Sequence, residues 1–227
     1  AWLHQEAELV EGAGGADGGI VIVTLQDLTR LHAAEESVRR LSYFDTATGL
    51  PNRRHFCEEA ARVIAGTEGS ATSAVVAFRV HAFDRIAQAQ GREFGERLIA
   101  EVGRRVEEEL GRIAQGRSIL WSAGQSPACR TADGELAVLV RSRETADHVA
   151  TVTRAVLESL AASALPADSG FAPAISAGVA LSGADGTDVA QLLGKAHAAA
   201  ETATVPRTCA FFSPMPQARL RRRLQIE

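Results

Sequence analysis

The chain has 227 residues, 46% of them hydrophobic and 23% charged, with a formal net charge of −4 at pH 7. That size fits one full domain with extra elements, or two small ones, and the composition excludes collagen-like, mucin-like and wholly disordered chains. The acidic balance excludes a general basic footprint for nucleic acid, and no apolar run reaches the ~18 residues that cross a bilayer.

The elements read in chain order as follows. Leu3 to Val10 alternates as a strand, Gly12 to Gly19 (GAGGADGG) is a turn or loop, and Ile20 to Leu25 (IVIVTL) is a buried strand, so the start is a hairpin. Asp27 and Thr29 are capping residues for a helix from Leu28 to about Phe44. In it Leu31, Ala34, Val38 and Leu41 step by 3, 4 and 3. Such a seam belongs to a short coiled coil, or to an amphipathic helix lying on its own domain. Asp45 to Arg54 (DTATGLPNRR) breaks the helix, and Asn52 caps a new one from Arg53 to Ala65.

A strand follows at Ala74 to His81, then helical sequence from Phe83 to about Ile113 with a break at Gly91. Ser118 to Trp121 (SILW) has strand character, and the residues up to Cys129 read as loop. Arg130 to Val140 predicts a hairpin tip at Ala132 to Gly134 and a strand. A helix from Glu144 to Ala162, a strand from Ala174 to Leu181, a helix from Val189 to Ala203 and a short strand from Thr208 to Phe212 complete the series. Gln217 to the end is basic and helical in pattern. Helices crossing between strands, with one hairpin, predict an α+β chain with a mixed sheet covered by helices. Three scattered cysteines, Cys57, Cys129 and Cys209, speak against a disulfide framework and for a reduced, cytoplasmic chain. No basic-then-apolar signal peptide opens it.

Two stretches carry a family resemblance. Leu41 to Arg54, LSYFDTATGLPNRR, resembles the opening D-x-L-T-G-L-P-N-R-R of GGDEF domains, the diguanylate cyclase family. Ser176 to Ala203, SAGVALSGADGTDVAQLLGKAHAAAETA, resembles that family's S-x-G-[IV]-A strand, its Asp-Gly turn and its last helix. The resemblance implies a nucleotidyl cyclase-like fold with a ferredoxin-like core over residues 45–212. Residues 1–27 resemble the closing strands of a PAS sensor domain, residues 28–44 a signalling linker helix, and residues 213–227 a connector toward an EAL phosphodiesterase domain. The implied partners are PAS and EAL neighbours in the same chain, a second copy joined through Leu31, Ala34, Val38 and Leu41, and GTP. Neither nucleic acid nor a membrane is expected as a partner of this segment.

In active members two GTP molecules are joined across two facing domains, and carboxylates hold a divalent cation on the phosphates. Position by position, this chain departs from that pattern. The first strand's D-[IVL]-D-x-F-K appears as Arg79-Val80-His81-Ala82-Phe83-Asp84, so Arg79 stands in place of a metal ligand. The guanine-reading Asn and Asp of the next helix appear as Ala87 and Glu96, of which Glu96 can still accept hydrogen bonds. The motif R-x-G-G-D-E-F appears as Arg130-Thr131-Ala132-Asp133-Gly134-Glu135-Leu136, with Gly134 at the metal-binding letter. A one-residue slip would use Asp133 as the ligand instead but would misplace Glu135. Thr204 replaces the phosphate-contacting Lys, and Ala123 to Ser126 replaces the product-inhibition R-x-x-D.

Phosphoryl transfer rests on positioning and charge, so losing these groups together predicts a catalytically inactive domain that regulates. No catalytic or metal-binding residue and no cofactor are expected. The candidate residual nucleotide-binding residues are Arg79, Phe83, Glu96, Asp133, Gly134 and Glu135. Arg79 either pairs with Glu135 across neighbouring strands or contacts a phosphate directly. Alternative expectations are a divergent active cyclase using Mg²⁺ and a purely structural dimer spacer. If the pocket shape survives, Asp placed at both 79 and 134 is expected to restore metal binding; continued absence would mean that the pocket has closed. Arg219, Arg221, Arg222 and Arg223 form either a solvated connector or a docking end for the next domain.

Overall fold

The computed structural model describes residues 3–11, 19–66, 72–115, 119–120, 128–143, 145–162 and 164–213. Of the expected glycine loop at Gly12 to Gly19, residues 12–18 lie outside the described residues and Gly19 opens a strand; the stretch aligned with the inhibitory site and the basic tail also lie outside them. The chain divides into two compact units, Ala1–Ser42 and Tyr43–Glu227.

In the first unit β1 (Leu3–Glu11) and β2 (Gly19–Asp27) pair antiparallel from Leu3 opposite Asp27 to Glu11 opposite Gly19. Asp27 Oδ1 accepts the Thr29 N–H at 2.8 Å and so satisfies a free donor at the start of α1 (Thr29–Tyr43). None of the residues of α1 is buried, and Leu31, Val38 and Leu41 are 53%, 64% and 66% exposed.

The second unit carries α2 (Arg53–Ala65), β3 (Thr72–Val80), α3 (Phe83–Gln90), α4 (Arg92–Ala114), β4 (Ile119–Leu120), β5 (Cys129–Ala132), β6 (Glu135–Ser142), α5 (Ala146–Ala161), β7 (Ile175–Leu181), α6 (Val189–Thr202) and β8 (Cys209–Phe211). The sheet runs β4-β6-β3-β7-β8, with β5 also paired to β6. β3 is central and antiparallel to both β6 and β7, whereas β8 runs parallel to β7. The expected α+β architecture with a mixed sheet is therefore present.

Helices cover both faces. Val76, Phe78 and Val80 of β3 pack with Leu98, Val102 and Val106 of α4 and with Val152 and Val156 of α5. Val75 and Ala77 pack with Phe56 of α2 and with Leu192, Leu193 and Ala196 of α6. Burial on two sides explains why β3 reads as a continuous apolar run rather than an alternation. Gly178 in β7 admits α6, since a Cβ there would lie 2.0 Å from the Ala196 carbonyl oxygen. Asn52 Oδ1 accepts from His55 N at the start of α2, and Asp188 Oδ2 accepts from Gln191 N at the start of α6. Both helices begin where side-chain oxygens meet free backbone donors.

Candidate functional site

The hairpin β5–β6 turns at Asp133-Gly134, beside the end of β3 and the start of α3. Neighbouring side chains on a strand point to opposite faces. Arg130 accordingly meets α4, and Thr131 meets α6. The hairpin thus feeds two separate polar clusters.

The first is built on Arg130, only 9% exposed. Its Nη1 donates to Asp45 Oδ1 at 2.9 Å and to Glu96 Oε2, and its Nη2 donates to Asp133 Oδ1 at 2.9 Å. Burial works against the guanidinium charge, but the hydrogen bonds and charges of Asp45 and Glu96 outweigh it and raise the pKa. Asp45 also accepts from Thr48 N and Oγ1. Burial raises the Asp45 pKa, but these bonds and Arg130 bring it below the ordinary value. An open cleft of about 410 Å³ lies against this cluster, lined by Phe83, Asp84, Ala87, Gln88, Arg92, Glu96, Arg130 and Asp133. Glu96 therefore faces the cleft while already bonded to Arg130, with Arg92 Nε a further 3.4 Å away.

The second cluster sits on the α6 face. Arg79 and Glu135 are register partners on β3 and β6. Arg79 Nη1 lies 3.5 Å from Glu135 Oε1 and 2.8 Å from Glu201 Oε1. His197 places Nδ1 3.1 Å from Glu135 Oε2 and Nε2 3.0 Å from Thr131 Oγ1. Burial, aided by Arg53 and Arg79, pushes the His197 pKa down to about 4, so the imidazole is neutral at pH 7. A neutral ring donates Nδ1–H to the carboxylate and accepts the Thr131 hydroxyl at Nε2. Burial raises the Glu135 pKa, Arg79 opposes this, and Glu201 adds to it.

Gly134 separates the clusters. Its φ is 69°, its carbonyl accepts from Val80 N at 2.9 Å, and a Cβ on it would lie 2.5 Å from Phe83 Cβ and 2.7 Å from Phe83 Cγ. Ala82, held at φ 55° and ψ 31°, precedes the helix that carries Phe83. The pocket shape on which restoring a metal site with R79D/G134D depends is not present at the hairpin tip, where a side chain at 134 would collide with Phe83. Among the described residues no group of three or more His, Cys, Asp or Glu side chains is placed to hold a metal ion. The divalent cation implied by the family resemblance does not fit this donor set, because the Arg79 guanidinium already lies between the two carboxylates.

Of the sequence-derived candidates, Phe83, Glu96, Asp133 and Arg130 converge on the cleft, and Arg79 converges with Glu135. Ala132 ends β5 opposite Glu135, and Leu136 is a core residue. His81 is held by its N–H to the Ala174 carbonyl, and its Nε2 is buried without a hydrogen-bond partner among the described residues. Leu31, Ala34, Val38 and Leu41 belong to the other unit. Asp45, Thr131, His197 and Glu201 were not singled out from sequence. His197 and Glu201 stand four apart on α6, a spacing that places both on one helix face and was the available signal.

The sequence matches the diguanylate cyclase GGDEF domain family over residues 42–205. Signaling protein YkoW of Bacillus subtilis (strain 168) is 25% identical over 181 residues, which cover 79% of this chain and 21% of that protein. An uncharacterized signaling protein of Caulobacter vibrioides is 32% identical over 98 residues, covering 43% of this chain and 12% of that protein. The chain thus spans only a small part of the curated relatives that it matches. Among solved structures, the coiled coil and GGDEF domain of DgcB from Caulobacter crescentus, crystallised with c-di-GMP, gives a TM-score of 0.62 at 24% identity. That alignment covers 81% of this chain and 93% of DgcB. The GGDEF domain of YfiN (TpbB) from Pseudomonas aeruginosa gives 0.62 at 20% identity, covering 74% of this chain and 99% of that one. A sensory box/GGDEF family protein from Caulobacter crescentus CB15 gives 0.57 at 27% identity, covering 71% and 97%. The match over residues 42–205 and these folds together place the chain in the GGDEF family.

Proposed function

We propose that this GGDEF domain is a catalytically inactive regulatory module of cyclic-di-GMP signalling. It dimerises through α1 and relays a signal from an upstream sensor to a downstream EAL phosphodiesterase in the same cytoplasmic protein. The observation that carries the reading is the Arg79 guanidinium, 2.8 Å from Glu201 and 3.5 Å from Glu135. A cation lies at the position where the family resemblance implies a metal ligand. Gly134, packed on Phe83, supplies no second carboxylate.

The exposed seam Leu31, Val38 and Leu41 supports pairing of two copies, because apolar positions at a/d spacing bury against a partner helix. No described helix is long and apolar enough to cross a membrane. The cleft beside Phe83, Glu96 and Arg130 supports a retained, non-catalytic GTP site as the regulatory input.

The test uses the purified 227-residue chain with GTP and either Mg²⁺ or Mn²⁺, followed by chromatography for cyclic-di-GMP and an assay for pyrophosphate. The expected result is no turnover. Formation of cyclic-di-GMP overturns inactivity and favours the divergent-cyclase reading. Calorimetry with near-millimolar GTP separates the remaining two: saturable binding marks a nucleotide-gated relay, and no binding marks a dimer spacer.

A further inference from the structure

The two positions at which the chain lacks an acidic side chain, 79 and 134, are not equivalent in this fold. At 134 the obstacle is steric and conformational. The backbone sits at φ 69°, and the first side-chain atom would lie 2.5 Å from Phe83 Cβ and 2.7 Å from Cγ, both fixed near the Phe83 backbone. A carboxylate at 134 therefore requires Phe83 to leave and a left-handed non-glycine residue to be tolerated. At 79 the obstacle is only the charge already present. Arg79 Nη1 stands 2.8 Å from Glu201 Oε1 and 3.5 Å from Glu135 Oε1, on two elements that the guanidinium ties together. Arg79 and Glu135 are directly opposite on paired strands, so a shorter acidic side chain at 79 would share their face.

We propose that Arg79 is a resident cation that takes the place of a metal ion between Glu135 and Glu201, and that position 79, not position 134, decides whether this cluster binds a divalent cation. The physical argument is charge balance. Two carboxylates that converge on one point repel unless a positive charge lies between them. A guanidinium meets that need with N–H donors, whereas a hard divalent ion meets it with oxygen ligands. Replacing the guanidinium by a carboxylate removes the compensating charge and puts a third carboxylate on the face that Glu135 and Glu201 share, the donor type that Mn²⁺ and Mg²⁺ select. His197, hydrogen-bonded to Glu135, orients that carboxylate from behind. This inference concerns the donor set and stands whether the domain relays a signal or spaces a dimer.

The experiment measures bound Mn²⁺ by electron paramagnetic resonance and thermal melting in MnCl₂ against EDTA, on the full chain. The wild type and R79K are expected to bind no Mn²⁺ at this cluster and to melt at the same temperature in both buffers. R79D is expected to bind one Mn²⁺ and to gain roughly 5 °C or more in Tm at saturating MnCl₂. Adding E135Q to R79D is expected to weaken that binding at least about tenfold. G134D is expected to bind none and to melt lower than wild type in both buffers, and R79D/G134D to bind no tighter than R79D. Mn²⁺ bound by wild type and lost in E135Q overturns the proposal, as does Mn²⁺ binding gained by G134D. Folded R79D, shown by circular dichroism, that takes no Mn²⁺ also overturns it. If R79D folds in neither buffer, R79E is measured in the same way, and failure of both to fold and bind in MnCl₂ is equally fatal.

Discussion

Arg130 Nη1 donates to Asp45 Oδ1 across 2.9 Å, joining residues 85 positions apart. Asp45 lies two residues beyond the last residue of α1, and Arg130 stands on the hairpin strand beside the cleft. One buried guanidinium therefore fastens the turn around Asp45 to the side chains that line the cleft.

Removing that guanidinium should be the most damaging polar substitution in the unit. R130M leaves Asp45 and Glu96 facing each other without their donor, and breaking a largely buried ion cluster costs about 3 kcal/mol. D133A should change stability by no more than about 0.5 kcal/mol, because the Asp133 side chain is 79% exposed. Urea unfolding of the two variants checks the order, and equal losses would show that Arg130 does not act through its buried partners.

G134A should lower stability by about 2 kcal/mol or more, from the left-handed backbone and the overlap with Phe83. F83A costs stability by itself, yet the double variant should lose less than the sum of the two, since the alanine Cβ at 134 then meets a shortened neighbour. A double-mutant cycle by thermal melting reads this coupling, and strict additivity would place the strain elsewhere.

His197 should shape the acid limb of the stability profile. Its pKa is about 4 in the folded chain, below the ordinary 6.5. Between those values the unfolded chain takes up a proton that the folded chain refuses, so stability falls as pH drops from about 6.5 to about 4. The raised Glu135 pKa acts in the opposite sense near its own titration, because the folded state then binds the extra proton. H197Q should flatten the fall by about 2 kcal/mol, a figure discounted for the partial exposure of the ring. Unfolding curves at pH 7, 5.5 and 4.5 test it, and an unchanged slope in H197Q would assign the acid limb to other groups.

The seam on α1 makes a separate prediction. Burying each leucine or valine contributes about 1.5–3 kcal/mol, so L31S/V38S/L41S should raise the dissociation constant of an α1-paired dimer at least roughly a hundredfold. Sedimentation of wild type and variant measures it. A wild type that stays monomeric at high concentration would remove α1 from the dimer.

Much of the fold was legible because its signals are local. Asn52 caps α2 where the sequence predicts, the helical run after Phe83 breaks at Gly91, and the Asp133-Gly134 turn closes the expected hairpin. The candidate site was legible only in part. The departures at 79 and 134 can be seen in the sequence, because each puts a different chemical type where the resemblance implies a carboxylate, whereas Glu96 differs from Asp only in length. Their consequences depend on partners distant along the chain. Glu201 lies 122 positions from Arg79, and His197 lies 66 from Thr131. No periodicity reports such contacts, and Asp45 reads in sequence as a turn residue, with no sign of its bond to Arg130.

The sequence by itself determined the family and the order of helices and strands. Those follow from residue identity and short-range spacing. Only the tertiary structure decided that Arg79 is held between two carboxylates, that Glu96 is already bonded to Arg130, and that a side chain at position 134 would collide with Phe83. Each depends on the distance between atoms that the sheet and its covering helices bring together, and a close approach across a fold is a property of packing, not of local sequence.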